Sequence, residues 1–158
     1  MLDNIKLNPE LSERIVPINA AIGSDGKVDF FVSEDYDDLG STGASFLYNN
    51  QNENFIKKSV NGFKLNSARK KFKIEHIDLL KMDCKGCEFL LDNDDLKSID
   101  RIKIEYSAHG MKNKLDNLIE LLIQNNFHYM IFRHNSTSRK PNSDAASIFA
   151  TRIENNHV

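Results

Sequence analysis

The chain has 158 residues, 40% of them hydrophobic and 28% charged, with a formal net charge of -2. That is enough for one domain, residues 1–158, with a core that needs neither disulfides nor metals. The near-neutral balance excludes the global basic field that nucleic acid or anionic membrane would select, so neither is expected as a partner.

The N-terminus, MLDNIKLNPELSERIV, lacks the continuous apolar stretch of a secretory signal. No run approaches the roughly 20 apolar residues that span a bilayer, so a soluble cytoplasmic protein is the default expectation. Residues 1–11 read as a helix broken at Asn8-Pro9, because the residue before proline is pushed out of the helical region. Residues 15–22, IVPINAAI, read as a short buried strand that Pro17 confines to an edge or an end. Ser24-Asp25-Gly26 is a turn signal, and residues 27–33, KVDFFVS, read as a strand pairing back on the first.

Residues 34–54 are polar and read as a long loop of the kind that often binds or covers a ligand. Residues 55–65 have strand character. A short basic helix is expected over 66–74, capped by Asn66 or Ser67; its RKKFK stretch reads as a solvated face. Residues 77–82 form an apolar run interrupted by Asp78 and Lys81, the profile of a central parallel strand. A helix is expected over 87–96, an alternating strand over 101–106, and a helix over 112–125, where Leu115, Leu118, Ile119, Leu122 and Ile123 recur at helical spacing. Residues 128–133 and 146–153 read as strands joined by a polar loop, with Arg133, His134, Arg139 and Lys140 near it. Alternating strands and helices imply an α/β fold with a mostly parallel sheet, and one of the two closing strands is expected to run antiparallel.

In such sheets ligands bind beyond the carboxyl ends of the strands. One strand ends at Asp83, followed by Lys85, Gly86 and Glu88. The next ends at Glu105, followed by Ser107 and His109. If the strands are neighbours, Asp83, Glu88, Glu105 and His109 converge on one rim. Asp83 or His109 could take a proton from a substrate hydroxyl. Lys85 could hold an anionic group, and Asp83, Glu105 and His109 could hold a divalent cation. The same residues have plainer uses, since Asp83 could cap the following helix and Glu88 could favour its positive end. Cys84 and Cys87 match C-x-x-C spacing. Zinc would need further ligands. A redox pair is conceivable, although the strand-end position of Cys84 favours a pair that is merely tolerated.

The stretch IDLLKMDCKGCEFLL resembles the signature of the FkbM-type methyltransferases, roughly D-L-L-K-I-D-x-E-G-x-E. Asp78, Leu79, Leu80, Lys81, Met82, Asp83, Gly86 and Glu88 fall in matching places, and Lys85 departs from the family's glutamate. RIVPINAAIGSDGKVDFFVSE, RIKIEYSAH and the closing NNFHYMIF and SIFATRI also resemble family segments. The resemblance implies a Rossmann-like, S-adenosylmethionine-dependent methyltransferase, mostly acting on oxygen, with Asn19, Ala20 and Ala21 beside the cofactor's adenine. It also implies Asp83 near the methyl-donor and acceptor region; Lys85, Glu88 and Glu105, read from the strand-end rim, are expected to bind the acceptor, a sugar or other small molecule.

No glycine-rich turn precedes Ile15, so the chain resembles the family from its third strand onward. It is expected to be a portion or truncated relative of such an enzyme, or else a non-catalytic binding module derived from one. An open sheet edge with its apolar faces would lead an isolated chain either to form a homodimer or to be poorly stable.

Overall fold

The computed structural model describes residues 2–33, 55–84, 86–107, 114–133 and 145–153. The expected loops at 34–54 and 135–144 lie outside them, as do Lys85, His109, His134, Arg139 and Lys140. The chain opens with two short helices, α1 (Leu2–Lys6) and α2 (Pro9–Ser12). Pro9 opens α2, where its missing N–H costs nothing. No residue of either helix is buried. Among the described residues no helix is long and apolar enough to cross a membrane.

The described strands divide between two sheets. The smaller has the order β1-β3-β2, with β1 (Ala21–Ile22), β2 (Gly26–Ser33) and β3 (Phe55–Phe63). The expected strand over 15–22 and its hairpin are corrected here. Only Ala21 and Ile22 join a ladder, parallel to Gly62 and Phe63 of β3. β2 pairs antiparallel with β3 from Gly26↔Gly62 to Ser33↔Phe55. Pro17 has no amide to give a ladder, and β3 offers β2 a partner at every residue. Val16 stands 79% exposed. A side chain on Gly62 would collide with the Val28 side chain and the Ser24 carbonyl, so only glycine lets β3 pass this turn.

The larger sheet has the order β4-β5-β7-β6, with β4 (Ile77–Met82), β5 (Ile99–Ser107), β6 (Phe127–Arg133) and β7 (Ala145–Arg152). β4 and β5 are parallel. β7 runs antiparallel to both β5 and β6, so β6 shares the direction of β4 and β5. The fold is therefore mixed α/β, and the expected antiparallel closing strand is β7. Alternation along the strands gives the sheet two unlike faces. Ile102, Ile104, Tyr106, Ala146, Ile148 and Ala150 are buried in one core with Leu118 and Leu122 of α5 (Lys114–Gln124). The other face carries Leu79, Met130, Phe132 and Phe149, all more than a third exposed. Phe132 and Phe149 meet edge to face at 5.6 Å there, and the Lys103 ammonium lies 5.4 Å from the Phe149 ring.

The helices between the sheets differ from expectation for tertiary reasons. α3 spans Leu65–Phe72 and has no side-chain cap of its own. Its first amides are satisfied from a distance: Lys64 N–H donates to Asp25 at 3.0 Å and Asn66 N–H to Asp95 at 2.9 Å. Ser67 is not a cap; its hydroxyl donates to Asp25 at 2.8 Å. The expected helix over 87–96 is split into a 3₁₀ turn, Cys87–Leu90, and α4, Asn93–Leu96. Leu91 is extended, and the Asp92 carboxylate accepts the Asp94 and Asp95 amides in a capping box that starts a new helix.

Asp95 is the buried carboxylate of this joint, 3% exposed. Burial pushes its pKa above the usual carboxylate range, and the Asp92 charge adds to this against the N–H donors that lower it. The folded chain then takes up this proton at higher pH than the unfolded chain, so protonation favours folding. Relative to Asp95→Asn, the wild type should gain stability as pH falls from 7 through the raised pKa, levelling off below the ordinary carboxylate value. Urea titrations of both proteins at about pH 7, 5 and 4 check this, and a gap moving the other way contradicts it.

Candidate functional site

The carboxyl end of β4 delivers Lys81 and Asp83 to the same side of the strand, two residues apart. β5 lies beside it in register, Lys81 against Lys103, so Glu105 sits one step further along that face. The Lys81 ammonium lies 3.6 Å from Asp83 Oδ2 and 3.9 Å from Glu105 Oε1. Asp83 and Glu105 therefore do converge, as their strand-end positions implied, and Lys81 stands between them. All three side chains are roughly half exposed, so the pairs add little stability and serve chiefly to position one another. The Lys81 ammonium lies between the two carboxylates that, with His109, could have held a divalent cation.

Glu88 does not join that rim. It is 1% exposed, because residues 87–90 coil as a tight 3₁₀ turn that carries the side chain inward. Its Oε2 accepts the Gly86 N–H at 2.7 Å. Gly86 has φ 127°, a conformation open to glycine; this backbone requirement explains the glycine of the motif. Glu88, Phe89 and Leu91 face Asn117, Leu118 and Leu121 of α5 across a cavity of about 250 Å³. Glu88 is therefore turned inward and does not converge with Asp83 and Glu105 as its position in sequence implied. Cys84 and Cys87 are joined by a disulfide, with Cα atoms 5.5 Å apart, so they are not a pair of separate thiols.

A second cavity, about 300 Å³, lies between β1 and the end of β4. Ala20, Ala21, Ile22, Leu65, Leu80 and Met82 make its apolar wall, and Lys81, Asp83 and the two cysteines complete it. Its size is at the lower end of the ~300–1,000 Å³ of small-molecule sites, and its lining, mostly apolar with few polar groups, is typical of them. The structure thus brings Ala20 and Ala21 to Asp83 across the gap between the two sheets. Asn19 lines a different cavity with Leu2, Asp3, Pro17 and Ile18, so it does not share the wall of Ala20 and Ala21. Of the expected site residues, Lys85 and His109 lie outside the described residues.

Lys81 is the site residue that sequence reasoning passed over, as an interruption of an apolar strand. Its i, i+2 spacing from Asp83 was the available signal. At the opposite, amino end of β4 and β5, His76 Nε2 lies 3.0 Å from Asp100 and 3.9 Å from Asp78. That exposed group is remote from the strand ends where α/β sheets bind ligands.

A family model described as "Methyltransferase FkbM domain" matches residues 4–129. The match includes β4, the disulfide turn and β5. It ends within β6, short of the closing segment SIFATRI. No curated protein and no solved structure matches the chain.

Proposed function

The chain belongs to the FkbM methyltransferase family, and from that premise we propose that it is an S-adenosylmethionine-dependent domain transferring a methyl group to the hydroxyl of a sugar or other small molecule. The observation that carries this reading is the cavity joining Ala20 and Ala21 to Asp83 at the carboxyl end of β4. Three co-directional strands with β7 inserted antiparallel support its reading as part of a Rossmann-like methyltransferase sheet.

The cavity suits the cofactor's apolar parts. Ala20 and Ala21 have small side chains, which leaves a flat ring room beside β1. Leu80 and Met82 offer a wall for an aliphatic arm. When bound, S-adenosylmethionine supplies an electrophilic methyl group on a sulfonium centre. The chain's own part is positioning and proton removal. Asp83 accepts the proton of the acceptor hydroxyl, and Glu105, on the same face, accepts a second hydroxyl of a sugar. Lys81 holds both carboxylates in place from between them.

Calorimetry with S-adenosylmethionine tests the reading. Binding in the micromolar range is expected, with affinity falling at least about tenfold for Ala20→Phe, which fills the cavity. A wild-type titration without heat at several temperatures would remove the proposal and leave a non-catalytic module as the reading.

A further inference from the structure

Besides the methyl-transfer site, the turn that follows β4 holds a second chemical group. The disulfide links Cys84, half-buried on the wall of the 300 Å³ cavity, to Cys87, 4% exposed at the start of the 3₁₀ turn. Glu88 lies beside it. Its Oε2 is 3.7 Å from Cys84 Sγ, within reach of a thiol hydrogen bond. Its Oε1 is buried and has no hydrogen-bond partner among the described residues. A buried carboxylate oxygen left without a partner costs free energy, and such groups in native structures often have a chemical role. The sulfurs and the carboxylate all lie within 4.8 Å of one another.

We propose that Cys84 and Cys87 form a thiol–disulfide exchange site, with a small-molecule thiol or its disulfide as substrate and Glu88 as proton acceptor. In the reduced chain the Cys84 thiol gives its proton to Glu88. The thiolate attacks one sulfur of an external disulfide, forming a Cys84 mixed disulfide and releasing one external thiolate, which takes that proton. Cys87, losing its own proton, then attacks Cys84 Sγ. The internal disulfide forms and the second external thiolate leaves with the proton. Two electrons and two protons pass from the chain to the external disulfide, which becomes two thiols, and the reverse sequence reduces the chain. Both cysteines border the cavity, and Cys84 is the attacked sulfur because it is only half-buried, while Cys87 is 4% exposed. The inference does not depend on methyl transfer.

The test equilibrates the chain with graded mixtures of reduced and oxidised glutathione, traps free thiols by alkylation, and reads the mass. One two-electron transition between disulfide and dithiol is expected. A chain that stays dithiol, or stays disulfide, at every ratio overturns the proposal. In Cys87→Ser, glutathione should accumulate as a mixed disulfide on Cys84. In Cys84→Ser, the covered Cys87 should stay unmodified. The opposite pattern overturns the assignment of the attacked sulfur. Glu88→Gln retains an oxygen for the Gly86 amide and should slow exchange at least about tenfold with a flattened pH profile. Unchanged rates would remove Glu88 from the mechanism. If circular dichroism shows that this variant does not fold, the wild-type titration and the two serine variants decide the proposal.

Discussion

Replacing Arg152 with alanine is expected to lower the stability of the domain by about 3–5 kcal/mol, a large share of the ~5–15 kcal/mol typical of native proteins. The half-buried guanidinium donates to Ile99 O at 2.9 Å, to Asn125 O at 3.1 Å and to Leu96 O. Leu96 is the last residue of α4, Ile99 opens β5 and Asn125 follows α5. One side chain on β7 therefore ties together a helix end, a strand start and a turn. Carbonyls at helix ends lack internal partners and favour a cation. The guanidinium also stacks on Phe127, 4.6 Å from the ring centroid, a contact worth about 0.5–2 kcal/mol by itself. Truncation leaves these acceptors without their donor in a partly closed space. Arg152→Lys should recover less than half of the loss, because a single ammonium cannot match the planar fork. Urea unfolding followed by circular dichroism measures both variants, and a loss below about 1 kcal/mol for Arg152→Ala would show that water replaces the guanidinium without penalty.

The second large effect is on activity. Asp83→Ala is expected to reduce methyl transfer by about 10²–10⁴-fold, the usual weight of a positioned acid–base group. Asp83 is half exposed, and its ion pair with Lys81 at 3.6 Å is of the kind worth at most about 1 kcal/mol. The variant should therefore fold and melt almost as the wild type does. Asp83→Asn should be impaired to a similar degree, since it keeps the shape and loses the proton acceptor. Rate measurements on both variants, with cofactor affinity measured separately, divide chemistry from binding. Full activity in Asp83→Asn would move the proton acceptor elsewhere.

Where local pattern and tertiary context agree, the sequence was readable. Leu118 and Leu122 recur at helical spacing because one face of α5 meets the sheet, and Ile102, Ile104 and Tyr106 alternate because β5 has one buried face. Context that acts from afar was not readable. The apolar run IVPINA invited a strand, but among the described residues no strand pairs with residues 15–20, and β3, reached only after a long polar segment, takes β2 instead. Asp25 and Asp95 supply the start of α3 from positions 39 and 29 residues away, so no local cap marks it. At the site, Asp83 and Glu105 could be placed together from their strand ends, whereas the inward turn of Glu88 depends on a 3₁₀ geometry that periodicity cannot distinguish from an α-helix. The C-x-x-C spacing permits a bond between its sulfurs without requiring one.

The insertion of β7 between β5 and β6 also governs the order in which the domain can assemble. Synthesis releases β4, β5, α5 and β6 before the strand that joins β5 to β6, so both carry an unpaired edge until residues 145–152 emerge. Pairing Arg101 with Thr151 then closes a span of some fifty residues, and such non-local contacts are slow to form because the chain loses freedom before the ladder compensates it. Until those residues emerge, the β5–β7–β6 part of the sheet cannot be completed, because β7 supplies the ladder partner of both neighbours.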